Sequence, residues 1–265
     1  MIERPLQYAF IRCLLQNAGM GRQSGMIIVM RKSNVILIGL VFALLLAIYS
    51  LNMNTDTQVS TAGADDGSGA RRTVIVDAGH GGEDPGKVSS YSDLKEKDLN
   101  LKIALKLKQL LENDGYNVIM TREEDKLVYS EGTTNIYNKR LQDLTKRKEI
   151  MDGSGADIVV SIHMNSYSEP QYYGAQTFYP PNSTESRKLA DCIQDSMREG
   201  LDKSNKRQPQ EKKDPIVILT NLKTPTTIAE CGFLSNAEEE SKLASEEYQG
   251  QVAAAIKEGI DHYFK

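Results

Sequence analysis

From Thr73 to Phe264, short β-branched runs alternate with longer stretches of helical period, and this alternation limits the chain to an α/β fold built around one sheet. Thr73–Val76, Tyr116–Met120, Ile158–Ile162, Gly174–Tyr179, Ile216–Leu219 and Thr226–Cys231 read as strands. Glu96–Asp114, about Asn138–Met151, Ser183–Leu201 and Gln249–Phe264 read as helices. In the first helix Leu99, Ile103, Leu107, Leu110 and Leu111 share one face, and Gly115 supplies the stop. Helices of this length between strands imply crossover connections, hence a central, largely parallel, twisted sheet covered by helices on both faces. In such sheets functional side chains collect just beyond the carboxyl ends of strands. His80, His163 and Glu230 stand at or near three of those ends.

The N-terminal quarter is organised differently. Val35–Leu51 is 17 residues without a charge, directly after Arg31 and Lys32. An apolar run of that length behind a basic pair is an export signal, either a signal peptide or an uncleaved membrane anchor, with its N-terminus cytoplasmic. The expected organisation is an N-terminal extension over 1–29, the signal or anchor helix over 30–52, a Thr/Ser/Gly/Ala/Asp-rich linker over 53–71 and one catalytic domain over 72–265. Met30 or Met26 is the expected initiator. The domain is thus expected outside the cytoplasm, at the outer face of the membrane. From Arg72 onward 26 basic residues face 32 acidic ones, a net charge of −6, which argues against a nucleic-acid surface. Cys13, Cys192 and Cys231 make neither a disulfide framework nor a Cys/His metal cluster.

Chemistry has to come from a few residues. The chain has three histidines. Two follow strands in small-residue contexts, Ala78-Gly79-His80-Gly81-Gly82 and Ser161-Ile162-His163-Met164-Asn165. A hydrolytic zinc site needs three protein ligands drawn from neutral imidazole and carboxylate, plus an open position for water. Two histidines and one glutamate satisfy it, with one zinc ion per domain. Either Glu83, at His-x-x-Glu spacing from His80, or Glu96, opening the first helix, fits as third ligand on sequence grounds. Glu230 ends an apolar strand, where burial raises a carboxyl pKa and suits it to general acid/base work. His262 reads as an ordinary helix residue. Glu238–Glu240 after Asn236 read as a helix N-terminus.

Four ordered segments, Ile75-Val76-Asp77-Ala78-Gly79-His80-Gly81-Gly82, Glu96-Lys97-Asp98-Leu99-Asn100-Leu101, Ser161-Ile162-His163-Met164-Asn165 and Glu230-Cys231-Gly232-Phe233-Leu234-Ser235-Asn236, resemble the zinc-dependent N-acetylmuramoyl-L-alanine amidases. The resemblance covers almost all of Arg72–Lys265. It implies His80, Glu96 and His163 as zinc ligands and Glu230 as the catalytic residue, against Glu83. Family proteins usually carry Asp-Pro-Gly-His where this chain has Asp-Ala-Gly-His, a difference that bears on loop rigidity alone. Arg147 matches a recurrent family arginine, to be read as a contact for substrate carboxylates or as a solvated helix residue. One catalytic domain behind a membrane signal, with the Glu-Cys-Gly-Phe-Leu-Ser-Asn segment, looks most like the spore-cortex, germination-type amidases of endospore-forming bacteria. The implied partners are peptidoglycan strands with stem peptides, an accessory protein, and a downstream deacetylase on the route to muramic-δ-lactam. The alternatives are a vegetative autolysin of the same activity and a zinc carboxypeptidase using Glu83 as ligand.

Overall fold

The computed structural model describes residues 71–214 and 216–265; the signal or anchor helix, the linker and the extension expected upstream lie outside the described residues. Six strands, β1 (Thr73–Ala78), β2 (Asn117–Met120), β3 (Ile158–Asn165), β4 (Gln176–Tyr179), β5 (Gln210–Glu211) and β6 (Thr226–Phe233), form one sheet in the order β2-β1-β3-β6-β4-β5. β2, β1, β3 and β6 run parallel, while β4 lies antiparallel to β6 and parallel to β5. The largely parallel sheet expected from the alternation is therefore present, with two reversed strands, β4 and β5, at one edge.

The helices are α1 (Glu96–Asn113), α2 (Ile136–Gly153), α3 (Thr184–Leu201), α4 (Ala237–Ala244) and α5 (Glu246–Phe264). Because side chains alternate along a strand, each strand feeds two cores. Val74, Val76, Val160, Ile162 and Ala229 pack with Leu99, Ile103, Leu107, Leu189, Ile193 and Ile256 from α1, α3 and α5. On the opposite face Ile75, Val159, Phe178 and Ile228 meet Met151 of α2. Gly259 lets α5 approach α3 closely, since a Cβ there would stand 2.5 Å from the Ile193 Cα. Among the described residues no helix is long and apolar enough to cross a membrane.

One local expectation is corrected, and two elements go beyond the sequence reading. Ile216–Leu219 is no strand: Val217–Leu219 form a 3-10 turn, closed by Leu219 N–H donating to the Ile216 carbonyl at 2.9 Å. Its apolar residues cover the sheet face, burying Ile218 and Leu219, and among the described residues no strand pairs with them. The edge position belongs to polar β5, two residues long. The segment after Asn236 extends the N-terminal reading into a full helix, α4, whose first amides donate to the Asn236 side chain at 3.1 Å.

Candidate metal centre and catalytic site

β1 ends in Asp77-Ala78-Gly79-His80, and the chain then turns sharply through Gly81 and Gly82. His80 itself takes a left-handed backbone with φ of 61°. For a non-glycine residue that conformation costs roughly 1–3 kcal/mol and persists only where surroundings enforce it. Two arginines enforce it here. Arg122, just past β2, donates through Nε to the Ala78 carbonyl at 2.8 Å and through Nη2 to the Gly79 carbonyl at 2.9 Å. Arg147, from α2, donates to the Ala78 carbonyl at 2.6 Å and the His80 carbonyl at 2.7 Å, while pairing with Asp77 at 2.8 Å and Asp143 at 2.7 Å.

The solvated reading of Arg147 is therefore corrected: it is only 4% exposed, and it borders the cavity that His80, His163 and Glu230 line. Buried charge is tolerated because every face of the guanidinium has a partner. Asp77, itself enclosed, is held by that cation and by the Ser161 and Thr121 hydroxyls at about 2, although burial works in the opposite direction.

The loop delivers His80 to Glu96 and His163, and one donor atom from each of the three lies within 4.8 Å of the others. Glu96 opens α1, and its carboxylate is fixed by two backbone amides, Lys87 N–H to Oε2 at 2.8 Å and Met164 N–H to Oε1 at 3.2 Å. His163 Nδ1 approaches Glu96 Oε1 at 2.9 Å, and His80 Nε2 approaches the same oxygen at 3.2 Å. The outer nitrogen of His80, Nδ1, sits 2.8 Å from Asp84 Oδ2, the arrangement that fixes a ligand imidazole's tautomer and leaves its other lone pair free. Gly79 is required by contact: a Cβ there would stand 2.2 Å from His163 Nε2. Gly86, at φ 65°, likewise leaves room for the Glu96 carboxylate, 2.5 Å from where its Cβ would be.

The electrostatics of the trio favour positive charge at its centre. Burial disfavours charge on His80, yet Asp84 and Glu96 outweigh it and lift the ring to about 9. Burial pushes Glu96 up, but the two imidazoles carry it well below the usual carboxylate range. Two imidazoles and one anchored carboxylate are the donor set of hydrolytic zinc sites, and these residues fit such an ion.

Glu230 lies one strand away, its Cα in register with His163 across the β3–β6 pair. Beyond them the register shifts between His163 and Asn165, a bulge at the carboxyl end of the sheet. His80, His163 and Glu230 line one cavity of about 320 Å³, together with Asp77, Leu144 and Ile218. Glu230 Oε2 is enclosed with no hydrogen-bond partner among the described residues. Burial raises its carboxyl to about 7, with Glu96 pushing the same way and His163 and Lys212 pulling it down. A carboxyl with that affinity for protons exchanges them near neutrality. Glu83 lies apart, on the surface, bound by Lys139 at 2.7 Å and the Tyr129 hydroxyl at 2.7 Å.

The family model described as N-acetylmuramoyl-L-alanine amidase matches residues 74–262. The chain belongs to the N-acetylmuramoyl-L-alanine amidase family. It is 35% identical over 193 residues to the germination-specific N-acetylmuramoyl-L-alanine amidase of Bacillus subtilis, covering 73% of this chain and 80% of that protein. Among solved structures it resembles the CwlD amidase from Clostridioides difficile in complex with the GerS lipoprotein, at 43% identity and a TM-score of 0.71. That match covers 73% of this chain and 98% of the other. An N-acetylmuramoyl-L-alanine amidase from Clostridium difficile 630 matches at 31% identity and a TM-score of 0.65, over 74% of this chain and 98% of that one. The activity is accordingly N-acetylmuramoyl-L-alanine amidase action on peptidoglycan, in a family whose members are generally zinc enzymes.

Within this amidase, sequence reasoning missed Asp84, Asn100 and Arg122. Asn100 is buried and donates to the Gly79 carbonyl at 3.1 Å, tying α1 to the histidine loop. Asp84 stands four residues after His80 and Arg122 two residues after β2, so their spacing was visible, but nothing in it revealed their partners. His262 has the ordinary role expected, 3.3 Å from the Ser196 hydroxyl.

Proposed function

We propose that the chain is an exported zinc-dependent amidase of spore-cortex peptidoglycan, with His80 Nε2, Glu96 and His163 Nδ1 holding one zinc ion and Glu230 moving the proton. The convergence of those three donors beside an enclosed, unpartnered carboxylate carries this reading. When bound, zinc supplies Lewis acidity, polarising a carbonyl and making water acidic near neutral pH. The protein does the rest. Asp84 and the two arginines keep the His80 ring aimed, Gly79 leaves His163 its place, and the apolar wall of Leu144, Ile218 and Ile228 limits water around the reacting amide. Glu230 accepts the proton of the attacking water and returns it to the departing alanine nitrogen.

The carboxypeptidase alternative needs Glu83 at the cluster, and its engagement by Lys139 and Tyr129 speaks against that. The germination-specific relative, and the CwlD resemblance, support the cortex over the vegetative wall. A complex of CwlD with the GerS lipoprotein supports an accessory partner here too. Residues 30–52 are proposed to lead or anchor the domain outside the membrane, 53–71 to link it, and 72–265 to form the catalytic unit, with a deacetylase acting on its product. Elemental analysis tests the ligand set: about one zinc per chain is expected, retained in Glu83→Ala and lost in His80→Ala, Glu96→Ala and His163→Ala. Zinc retained in any of the last three removes that residue from the set.

A further inference from the structure

A second cavity, of about 770 Å³, shares Glu230 with the metal-side pocket. Its lining includes Asn165, Tyr167, Phe178, Lys212 and Glu230. Gln176 pairs with Glu230 and Phe178 with Ile228 across β4 and β6, so Phe178 and Glu230 lie on the same face of the sheet. Lys212 follows the edge strand β5, and its backbone is tied down by its N–H donating to the Tyr179 carbonyl at 2.8 Å. Its ammonium lies over the Phe178 ring, 5.0 Å from the centroid, and is paired with no carboxylate among the described residues. Lys212 is half-buried, whereas its neighbours Glu211, Lys213 and Asp214 stand exposed at the rim. A cation seated on an aromatic face in a groove loses hydration and gains from an anionic ligand more than a surface lysine does. The amidase reaction presents such a ligand, because the amide to be cut joins a sugar to a short acidic peptide.

We propose that Lys212 forms a carboxylate subsite for the stem peptide, binding the free carboxylate of the residue that follows L-alanine and so placing the scissile amide against Glu230. This rests on the amidase reading of the same site. Lys212 is a specificity-determining residue that touches substrate; it carries no proton itself, although its charge lowers the proton affinity of Glu230.

The test uses two muropeptides that differ only in whether that carboxylate is free or amidated. Binding is measured by calorimetry on full-length zinc-loaded protein carrying Glu230→Gln, which separates recognition from turnover. The acidic ligand should bind about ten- to a hundredfold tighter than the amidated one, the range of a hydrogen bond to a charged group. Adding Lys212→Gln should remove the preference, and Lys212→Arg should restore most of it. In turnover by protein with Glu230 intact, Lys212→Gln should raise KM for the acidic substrate and leave KM for the amidated one unchanged, while any change in kcat from losing the pull of Lys212 on Glu230 is shared by both substrates. An equal rise in KM on both substrates would mean that Lys212 acts only through Glu230 or through packing, and a preference that survives Lys212→Gln would place the carboxylate elsewhere; either overturns the proposal. Preferential binding with no release of L-alanine termini by the wild type would sustain the subsite and defeat the amidase reading instead.

Discussion

Replacing Arg147 by Met tests how the fold holds the histidine loop. Methionine keeps the length and apolar stem of the side chain but removes five donors at a position 4% exposed. The loss strands the Asp77 carboxylate, 1% exposed, and takes a partner from the Ala78 and His80 carbonyls. Breaking a buried ion pair from one side costs about 3–5 kcal/mol. For a domain of this size that corresponds to a fall in Tm of about 6–20 °C. The variant with both Arg147→Met and Asp77→Asn should recover much of the loss, since no charge is then left buried alone. Acid gives an independent check. Asp77 titrates at about 2 in the folded protein against an ordinary 3.8, so its contribution is present above pH 3.8 and is lost as pH falls through about 2. Without Arg147, burial is opposed only by the Ser161 and Thr121 hydroxyls and His163, so that carboxyl moves upward, and the deficit of the variant should shrink as pH falls from 7 toward 4. Urea unfolding at pH 7 and pH 4 measures both. A destabilisation under 1 kcal/mol at pH 7, or one that grows on acidification, would refute the reasoning.

Asp84→Asn should leave the fold intact and weaken zinc binding about 10- to 100-fold, because the carboxylate that orients His80 Nδ1 becomes a neutral amide; competition with a chelator reads this, and unchanged affinity would deny Asp84 that role. Gly259→Ala should destabilise the domain by about 1–3 kcal/mol through overpacking against the Ile193 backbone, with zinc content unchanged in the folded fraction; an unshifted unfolding midpoint would show that α3 and α5 separate freely.

The parts of this structure that follow regular periods were legible in the sequence. The apolar faces of α1 and α3 sit in the core as their spacing requires, and His80, His163 and Glu230 lie toward the carboxyl ends of β1, β3 and β6 as the alternation of strands and helices implied, although β3 runs on to Asn165 and β6 to Phe233. Choosing Glu96 over Glu83 was beyond spacing alone, because what separates them is tertiary: Glu96 is fixed by amides from the Lys87 loop and from Met164, far along the chain, while Glu83 meets Lys139. Arg147 was misread because α2 turns a polar ridge, Asp143 and Arg147 with Met151, toward the sheet, where hydrophobic periodicity carries no signal. Ile216–Leu219 misled in the reverse sense, its β-branched composition indicating burial without indicating a strand partner.

The central claim is that metal binding and proton transfer are divided between His80, Glu96 and His163 on one side and Glu230 on the other. Glu230→Gln separates them, because glutamine keeps the size and hydrogen-bonding capacity of the side chain and removes its basicity. Zinc content and release of L-alanine amino termini from peptidoglycan should be measured on the same preparation. The account predicts about one zinc per chain, an unchanged fold and a rate lower by about 10²- to 10⁴-fold. Cleavage at near the wild-type rate would contradict the role of Glu230 as the proton carrier, and loss of zinc would make it a ligand.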